Sequence, residues 1–200
     1  MECYKLAIDV KLIYYYTLNN RGILSAWRKR MKKINSSLSE QQKFMEMAIA
    51  EAKQARILDE VPIGAIVVHE GQVIGRGHNM REKFQDVTYH AEMLAIMEAC
   101  TNLGSWRLED CDLYVTLEPC IMCSGAIINA RIKNVYYGAA DPKAGAVDSL
   151  YHLLNDSRLN HQVNVHSGIL GDECSQMLKN FFRKIRRRRK EARRKNKANP

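Results

Sequence analysis

Two short motifs constrain the fold of this chain more than any other feature of its sequence. The first is His90-Ala91-Glu92, and the second is Pro119-Cys120-Ile121-Met122-Cys123. An apolar pattern of helical period begins at each of them, and a proline before the first cysteine suits a helix start. Each motif is therefore expected at the start of a helix. Because proline holds the residue before it in extended geometry, the second motif is also expected directly after a strand.

The spacing within each motif predicts where a shared site would lie. Cys120 and Cys123 are three residues apart, so they lie on one face of a helix and can bind one metal ion. His90 and Glu92 are two residues apart, which puts them on nearly opposite faces. Both can serve one site only if that site lies off the N-terminal end of their helix, with His90 outside the regular helix. Two helix N-termini aimed at one point also favour thiolates.

One histidine and two cysteines provide three ligands, which points to catalytic chemistry. Structural zinc usually takes four protein ligands, whereas catalytic zinc keeps a fourth position for water and lowers the pKa of that water towards about 7. Glu92 is a carboxylate beside the site that need not be a ligand, and it can move a proton to a leaving nitrogen. We therefore predict a zinc ion on His90, Cys120 and Cys123, with Glu92 as the acid–base group.

Other interpretations of the cysteines remain open. A Cys-x-x-Cys pair at a helix start could be a thioredoxin-like redox pair, although that chemistry requires no His-x-Glu motif. A structural zinc site would need a fourth ligand, for which His69, His78, Cys100 and Cys111 are available. A disulfide framework is not expected, because six cysteines in 200 residues without a secretory segment are too few.

Strand and helix patterns alternate after an initial helix and hairpin, which predicts an α/β layered domain. Helices are predicted over 39–58, 91–103, 121–130 and from 172 onward, and strands over 63–69, 72–78, 111–117, 133–138 and 163–166. The polar stretch 79–88 is predicted as a connecting loop. The apolar stripe of the last helix stops at Ile185, so we expect its docked part to end there and the arginine run to project beyond it.

The net charge of +9 is concentrated near the two ends of the chain. Residues 21–33 carry +6 and residues 183–197 carry +10, so residues 34–182 are left with −7. Basic runs fit a polyanionic partner, nucleic acid above all, or simply a solvated terminus. We predict three parts: an N-terminal extension over 1–37 that is disordered or an over-extended start, a folded domain over 38–185, and a basic tail over 186–200.

Hydropathy gives no reason to expect a membrane protein. The apolar fraction of 46% is enough for a core, yet no apolar run approaches the roughly 18–20 residues that a membrane span needs. The segment 6–18 contains Asp9 and Lys11 and is therefore a poor signal-peptide core. We expect a soluble, cytoplasmic protein.

The motifs and their surroundings resemble a known family. His-x-Glu followed about thirty residues later by Pro-Cys-x-x-Cys is the signature of zinc-dependent nucleobase and nucleoside deaminases. Over roughly residues 39–183 the chain resembles the bacterial tRNA-specific adenosine deaminases of the cytidine/deoxycytidylate deaminase superfamily. The segments that carry this closer resemblance are 60–65, 79, 88, 90–92, 105–108, 113–120, 122–123, 125–127, 141–143, 160–161, 168–170 and 181–183.

The resemblance implies a fold, a reaction and a set of roles. The fold would be a three-layer α/β/α arrangement around a central five-stranded mixed sheet, with 38–185 as the zinc deaminase domain of a homodimer. The reaction would be hydrolysis of adenosine to inosine at the wobble position of an arginine tRNA anticodon, with one zinc ion per subunit on His90, Cys120 and Cys123 and Glu92 as proton shuttle. The residues implied to contact the anticodon stem-loop are Asn79, Asp141, Lys143, Phe181, Phe182 and Arg183.

Three residues depart from the usual pattern of that family. Tyr89 stands directly before His90, where a small residue is common, and Val87 and Asp148 also replace smaller or cyclic residues. Two other functions stay open: a deaminase of a free base such as guanine or cytosine, and a non-catalytic zinc module that binds nucleic acid. The basic ends and the Asp-Pro-Lys loop at 141–143 count against the first, and Glu92 with an open zinc position counts against the second.

Overall fold

A computed structural model of the chain describes residues 39–198. The predicted N-terminal extension, residues 1–37, lies outside the described residues. The elements in chain order are α1 (Glu40–Ile57), β1 (Gly64–His69), β2 (Gln72–His78), α2 (Arg81–Phe84), α3 (Ala91–Leu103), β3 (Cys111–Leu117), α4 (Ile121–Asn129), β4 (Asn134–Ala139), a 3-10 turn (Leu153–Asn155), β5 (Asn164–His166) and α5 (Gly171–Ala198).

The five predicted strands form one mixed sheet in the order β2-β1-β3-β4-β5. The β1–β2 hairpin is antiparallel, as predicted, and β1 also pairs antiparallel with β3. β3, β4 and β5 run parallel to one another. Since the carboxyl ends of parallel strands meet at one edge of a sheet, the segments that follow β3 and β4 meet there, and the Pro-Cys-x-x-Cys motif is one of them.

Two hydrophobic cores lie on opposite faces of this sheet. Along β1, Ala65 and Val67 belong to the core that α3 and α4 cover. The alternate residues Ile66 and Val68 belong to the core that α1 and α5 cover. This alternation is what a strand buried on both faces requires, and it confirms the three-layer α/β/α arrangement.

Helix α3 lies directly on the backbone of β2. Gly75 and Gly77 leave no room for a side chain, because a Cβ atom at Gly77 would collide with the carbonyl oxygen of Ala91, and one at Gly75 with that of Ala95. The helix presents alanines to the sheet at positions four apart, and these are fully buried. The contact fixes the first turn of α3, which carries the His-x-Glu motif.

Helix α5 continues beyond the point where its side chains are buried. Ile185 is its last half-buried side chain, and residues 186–194 are exposed, as predicted from the apolar stripe. The helix itself runs on to Ala198, because lysine and arginine are good helix formers. Arg188 Nη1 and Lys184 Nζ lie 3.1 and 3.5 Å from Asp59 Oδ1, which ties this part of the helix to the loop after α1.

The described part of the chain contains no helix that combines the length and the apolar character needed to cross a bilayer.

Candidate metal and catalytic site

The structure brings His90, Cys120 and Cys123 together. Their ligand atoms all lie within 4.8 Å of one another. His90 Nδ1 is 3.7 Å from Cys120 Sγ and 3.5 Å from Cys123 Sγ. A tetrahedral zinc ion, with Zn–S about 2.3 Å and Zn–N about 2.0–2.1 Å, holds nitrogen and sulfur ligands about 3.6 Å apart. The three side chains therefore fit a zinc ion.

Both motifs stand at helix starts, in the geometry that the spacing predicted. His90 is the N-cap of α3 with φ −82° and ψ 155°, and Cys120 is the N-cap of α4 with φ −77° and ψ 176°. Both residues are thus extended and lie outside the regular helices. The site sits off two helix N-termini, where the helix dipoles favour negative charge on the sulfurs.

The pKa values of the two cysteines in the cluster favour the binding of a cation. A hydrogen bond with Cys123 lowers the pKa of Cys120 to about 4, although burial opposes this shift. The same hydrogen bond, together with burial, raises the pKa of Cys123. The pair therefore takes up one negative charge readily, and a cation bound by both sulfurs would stabilise the second.

Glu92 lies beside the three candidate ligands, in the first turn of α3. Its side chain is 4% exposed, and burial raises its pKa to about 7. It lies within hydrogen-bonding reach of Cys123. The charge of His90 lowers the pKa of Glu92 and that of Cys120 raises it, and both effects are smaller than that of burial. A carboxyl group that can gain or lose a proton near neutral pH is suited to general acid–base chemistry.

Within residues 39–198, none of the four residues considered as a fourth zinc ligand joins this cluster. His78 Nδ1 instead lies 3.1 Å from Glu51 Oε2 on α1. Cys100 Sγ lies 3.9 Å from the carbonyl oxygen of Trp106. A three-ligand cluster with a buried carboxylate beside it fits a catalytic site rather than a closed structural one.

Comparison with known proteins places the chain in a family. The profile of the MafB19-like deaminase family matches residues 39–186. A tRNA-specific adenosine deaminase of Streptococcus pyogenes serotype M1 is 51% identical over 154 residues, which cover 77% of this chain and 90% of the relative. One of Bacillus subtilis strain 168 is 51% identical over 156 residues, which cover 78% and 97%. The chain belongs to the tRNA-specific adenosine deaminase family.

A solved structure supports the same assignment. It comes from biochemical and structural studies of A-to-I editing by tRNA:A34 deaminases at the wobble position of transfer RNA. The two chains share 48% identity with a TM-score of 0.66, over 68% of this chain and 99% of the other. The family and the fold that the resemblance over residues 39–183 implied are thereby confirmed.

In this family member, Asn79 is buried at the start of the loop that leads to the His-x-Glu motif. Its Nδ2 atom donates a hydrogen bond to Glu60 Oε2 at 3.0 Å. Glu60 is itself buried, and its other oxygen accepts from the Lys83 backbone N–H at 2.6 Å. No pattern in the sequence marks Glu60, which lies 19 residues before Asn79 and holds both Asn79 and the following loop in place.

A second buried carboxylate, Glu118, was also missed by sequence analysis. It accepts backbone hydrogen bonds at 2.8–3.1 Å and one from the hydroxyl of Ser149. The backbone donors are Asp141, Val147, Asp148 and Ser149. Because Glu118 stands two residues before Cys120, this carboxylate joins loop 141–149 to the cysteine motif.

Gly145 packs this loop against the motif. It forms a bridge with Cys120, and a Cβ atom at Gly145 would collide with the carboxylate of Glu118. The predicted RNA-contacting residue Asp141 accepts from the backbone of Lys143 at 3.0 Å, and Lys143 is exposed. Asp148 accepts from the hydroxyl of Tyr137 at 2.5 Å, which gives this unusual residue a structural partner.

The three predicted RNA-contacting residues of α5 differ in exposure. Phe181 is buried and lies edge-to-face against Phe182, with ring centroids 5.5 Å apart. Phe182 and Arg183 are exposed. Phe181 therefore presents little surface to a ligand, and it supports Phe182 from the core side.

Replacing Glu118 with glutamine is expected to lower the free energy of unfolding by about 1–3 kcal/mol, because an amide NH₂ would face N–H donors that now bond to a carboxylate. Burial raises the pKa of Glu118, but the hydrogen bonds from Ser149, Asp148 and Asp141 outweigh it and lower the pKa overall. The wild-type advantage should be complete at neutral pH. It should decline below the ordinary carboxyl pKa of about 4.3, as the pH falls through the lowered folded-state value.

Urea unfolding of wild type and Glu118→Gln across pH 3–7 measures this difference. Glu109→Gln is the matched control, since Glu109 is exposed and pairs with Arg107 at the surface. It should change stability by less than about 0.5 kcal/mol. Equal stability of wild type and Glu118→Gln at neutral pH would show that the carboxylate does not hold the loop.

Proposed function

We propose that this protein is a zinc-dependent hydrolase that converts adenosine to inosine at the wobble position of an arginine tRNA anticodon and releases ammonia. The observation that carries the proposal is the cluster of His90, Cys120 and Cys123 with the buried carboxyl group of Glu92 beside it. It occurs in a chain about half identical to tRNA-specific adenosine deaminases.

The proposed chemistry replaces the amino group of adenine by oxygen. One zinc ion per subunit, held by His90, Cys120 and Cys123, would supply the Lewis acidity that activates a water molecule. Glu92 takes one proton of that water on its carboxylate and passes it to the purine ring nitrogen, and it then moves the second proton, from the newly attached hydroxyl group, to the leaving amino group. The C–N bond to the amino group breaks, the water oxygen becomes the carbonyl oxygen of inosine, and ammonia leaves.

The remaining proposed contacts orient the RNA. The hydrogen bond from Asn79 to Glu60 fixes the amide and leaves its Oδ1 atom to accept from the nucleoside. Lys143 on the loop held by Glu118, and Phe182 and Arg183 on α5, offer an exposed cation, an aromatic ring and a guanidinium for the anticodon stem-loop. Moving the adenosine out of its stack costs least when it is already single-stranded, as in an anticodon loop.

The direct test is an assay with one arginine tRNA transcript bearing adenosine at the wobble position. The same transcript with guanosine at that position is the control, and free adenosine, guanine and cytosine are assayed in parallel. We expect inosine and ammonia from the first substrate alone. Ammonia from guanine or cytosine, with an unchanged tRNA, would instead support a free-base deaminase.

We also propose that the protein is a homodimer in the cytoplasm, where its tRNA substrate would be found. Large apolar side chains are exposed on the two helices of the zinc motifs, at Met97 and Ile121. Such side chains suit an interface between subunits better than contact with water. Light scattering should give twice the mass of one chain, and a monomer at micromolar concentration would contradict the proposal.

The basic end of α5 is expected to provide affinity for RNA without selecting the adenosine. Residues 34–182 carry −7, which repels a polyanion, whereas truncation after Ile185 removes nine lysines and arginines. Each phosphate contact contributes a slope of roughly −0.7 to −0.9 to the dependence of log affinity on log salt. The truncation should therefore weaken tRNA binding and flatten this slope by several units, with turnover at saturating tRNA largely kept.

Binding of one tRNA across a salt series measures the slopes. Truncation after Lys190 is a graded control, because it removes four of the nine cations and should give a smaller change. Identical slopes for the full-length and truncated proteins would show that the tail is a solvated helix end that makes no phosphate contacts.

A further inference from the structure

The loop between β2 and α3 leads directly into the candidate site, because its last residue is the candidate ligand His90. Asn79 lies at one end of this loop and His90 at the other. The loop closes on itself, because the backbone N–H of Met80 donates to the carbonyl oxygen of Tyr89 at 3.1 Å. Glu60 holds its interior through the backbone N–H of Lys83. A nucleotide in contact with both Asn79 and His90 would therefore lie beside the two ends of this loop.

An aromatic pair is exposed on the loop. The rings of Phe84 and Tyr89 are stacked, with centroids 4.7 Å apart and planes 28° apart. Phe84 is 51% exposed and Tyr89 is half-buried. The ammonium group of Lys83 lies 6.0 Å from the centroid of the Phe84 ring. The loop thus presents a π-face and a cation directly beside the candidate zinc motif.

We propose that the Phe84–Tyr89 pair is a stacking platform for an unpaired nucleobase adjacent to the adenosine that enters the site. The inference rests on the proposed function, which requires one base to leave the stack of a single-stranded loop. The neighbouring base then loses a stacking partner, and aromatic side chains are the groups that proteins use to stack unpaired bases.

The Phe84–Tyr89 pair is not needed to hold the loop in place. The loop is already held at both ends and in its interior by hydrogen bonds from Met80, Lys83 and Asn79. A ring recruited only for packing would be buried, whereas half of the surface of Phe84 faces water. A base on the exposed side of the pair would cover that surface, and Lys83 is placed to meet the phosphate that follows.

The experiment uses an anticodon stem-loop with adenosine at the wobble position and 2-aminopurine at one of the two adjacent positions. Stacking on an aromatic ring quenches 2-aminopurine fluorescence. Phe84→Leu keeps an apolar side chain but removes the π-face. Phe84→Trp keeps a π-face at the same position. Val87→Ala is the matched control, because Val87 is apolar, 72% exposed and on the same loop.

We expect quenching with wild type and Phe84→Trp at one of the two labelled positions, and its loss with Phe84→Leu. Because stacking of one base is worth about 5- to 150-fold in affinity, Phe84→Leu should raise KM for the stem-loop by about tenfold. The rate at saturating stem-loop should change little. Val87→Ala should match wild type in both measurements.

Other outcomes separate this inference from the proposed function. If Phe84→Leu keeps wild-type KM and quenching while the stem-loop is deaminated, the platform is wrong and the function stands. If Phe84→Leu lowers the melting temperature without changing quenching, the pair is structural and the platform is again wrong. If wild type quenches the probe and Phe84→Leu does not, but wild type forms no inosine, the proposed reaction fails while the platform stands.

Discussion

Glu92→Gln is expected to lower kcat for the tRNA substrate by about 10²- to 10⁴-fold while the protein keeps about one zinc ion per chain. The amide has nearly the shape of the carboxyl group, so the buried pocket of Glu92 stays filled, but it cannot take or return a proton. The metal should remain because its three proposed ligands are other side chains, His90, Cys120 and Cys123. Metal analysis and single-turnover kinetics measure the two properties separately.

Two control variants make this result specific. Glu98→Gln changes an exposed carboxylate on the same helix and should keep both zinc and activity. Cys123→Ala removes a proposed ligand and should lose both. Full activity of Glu92→Gln would remove this residue from the mechanism, and a loss of zinc in Glu92→Gln would instead make Glu92 a ligand.

Gly77→Ala is expected to destabilise the protein and displace the first turn of helix α3, which carries His90 and Glu92. The new methyl group would collide with the carbonyl oxygen of Ala91, which lies between His90 and Glu92 in sequence. The obstacle is backbone rather than a flexible side chain, so relief requires the first turn of the helix to move. We expect a loss of about 1–3 kcal/mol or more in the free energy of unfolding, and weaker zinc binding as His90 shifts away from the two sulfurs.

Gly125→Ala is the matched control for this substitution. Gly125 lies inside α4, and a Cβ atom there would meet nothing within 4 Å. Alanine favours a helix over glycine by up to about 1 kcal/mol, so this variant should melt at the same temperature or higher. If Gly77→Ala retains both the wild-type melting temperature and zinc affinity, the contact between α3 and β2 does not fix the site.

The arrangement of the His-x-Glu and Pro-Cys-x-x-Cys motifs could be predicted because it follows from local geometry. Two residues on opposite faces of a helix can share a site only at its end, and His90 is indeed the N-cap of α3. Helix α2 could not be predicted. It has four polar or isolated apolar residues, and its position depends on the buried carboxylate of Glu60, which lies 23 residues before Lys83.

The role of Glu118 was hidden for the same reason. In sequence it is one acid before a proline, and its hydrogen-bond donors are 23–31 residues away. Burial of Phe181 also depends on distant contacts, since one stripe of α5 contains both buried and exposed rings. Periodicity identifies an apolar face, but the packing of other elements decides which residues at its edge meet water.

The position of the candidate ligands has a consequence for how the chain folds. His90 and Cys120 are 30 residues apart, so a metal ion on both would cross-link the chain around α3 and β3. An ion held by the folded site and not by the unfolded chain would add its binding free energy to the stability of the fold. The two ligands are positioned by separate contacts, β3 pairing with β1 and α3 packing on β2, so one ion would bind where both contacts have formed. Such an ion would couple the unfolding of α3 and α4, because neither helix start could move away while the ion stayed bound to both.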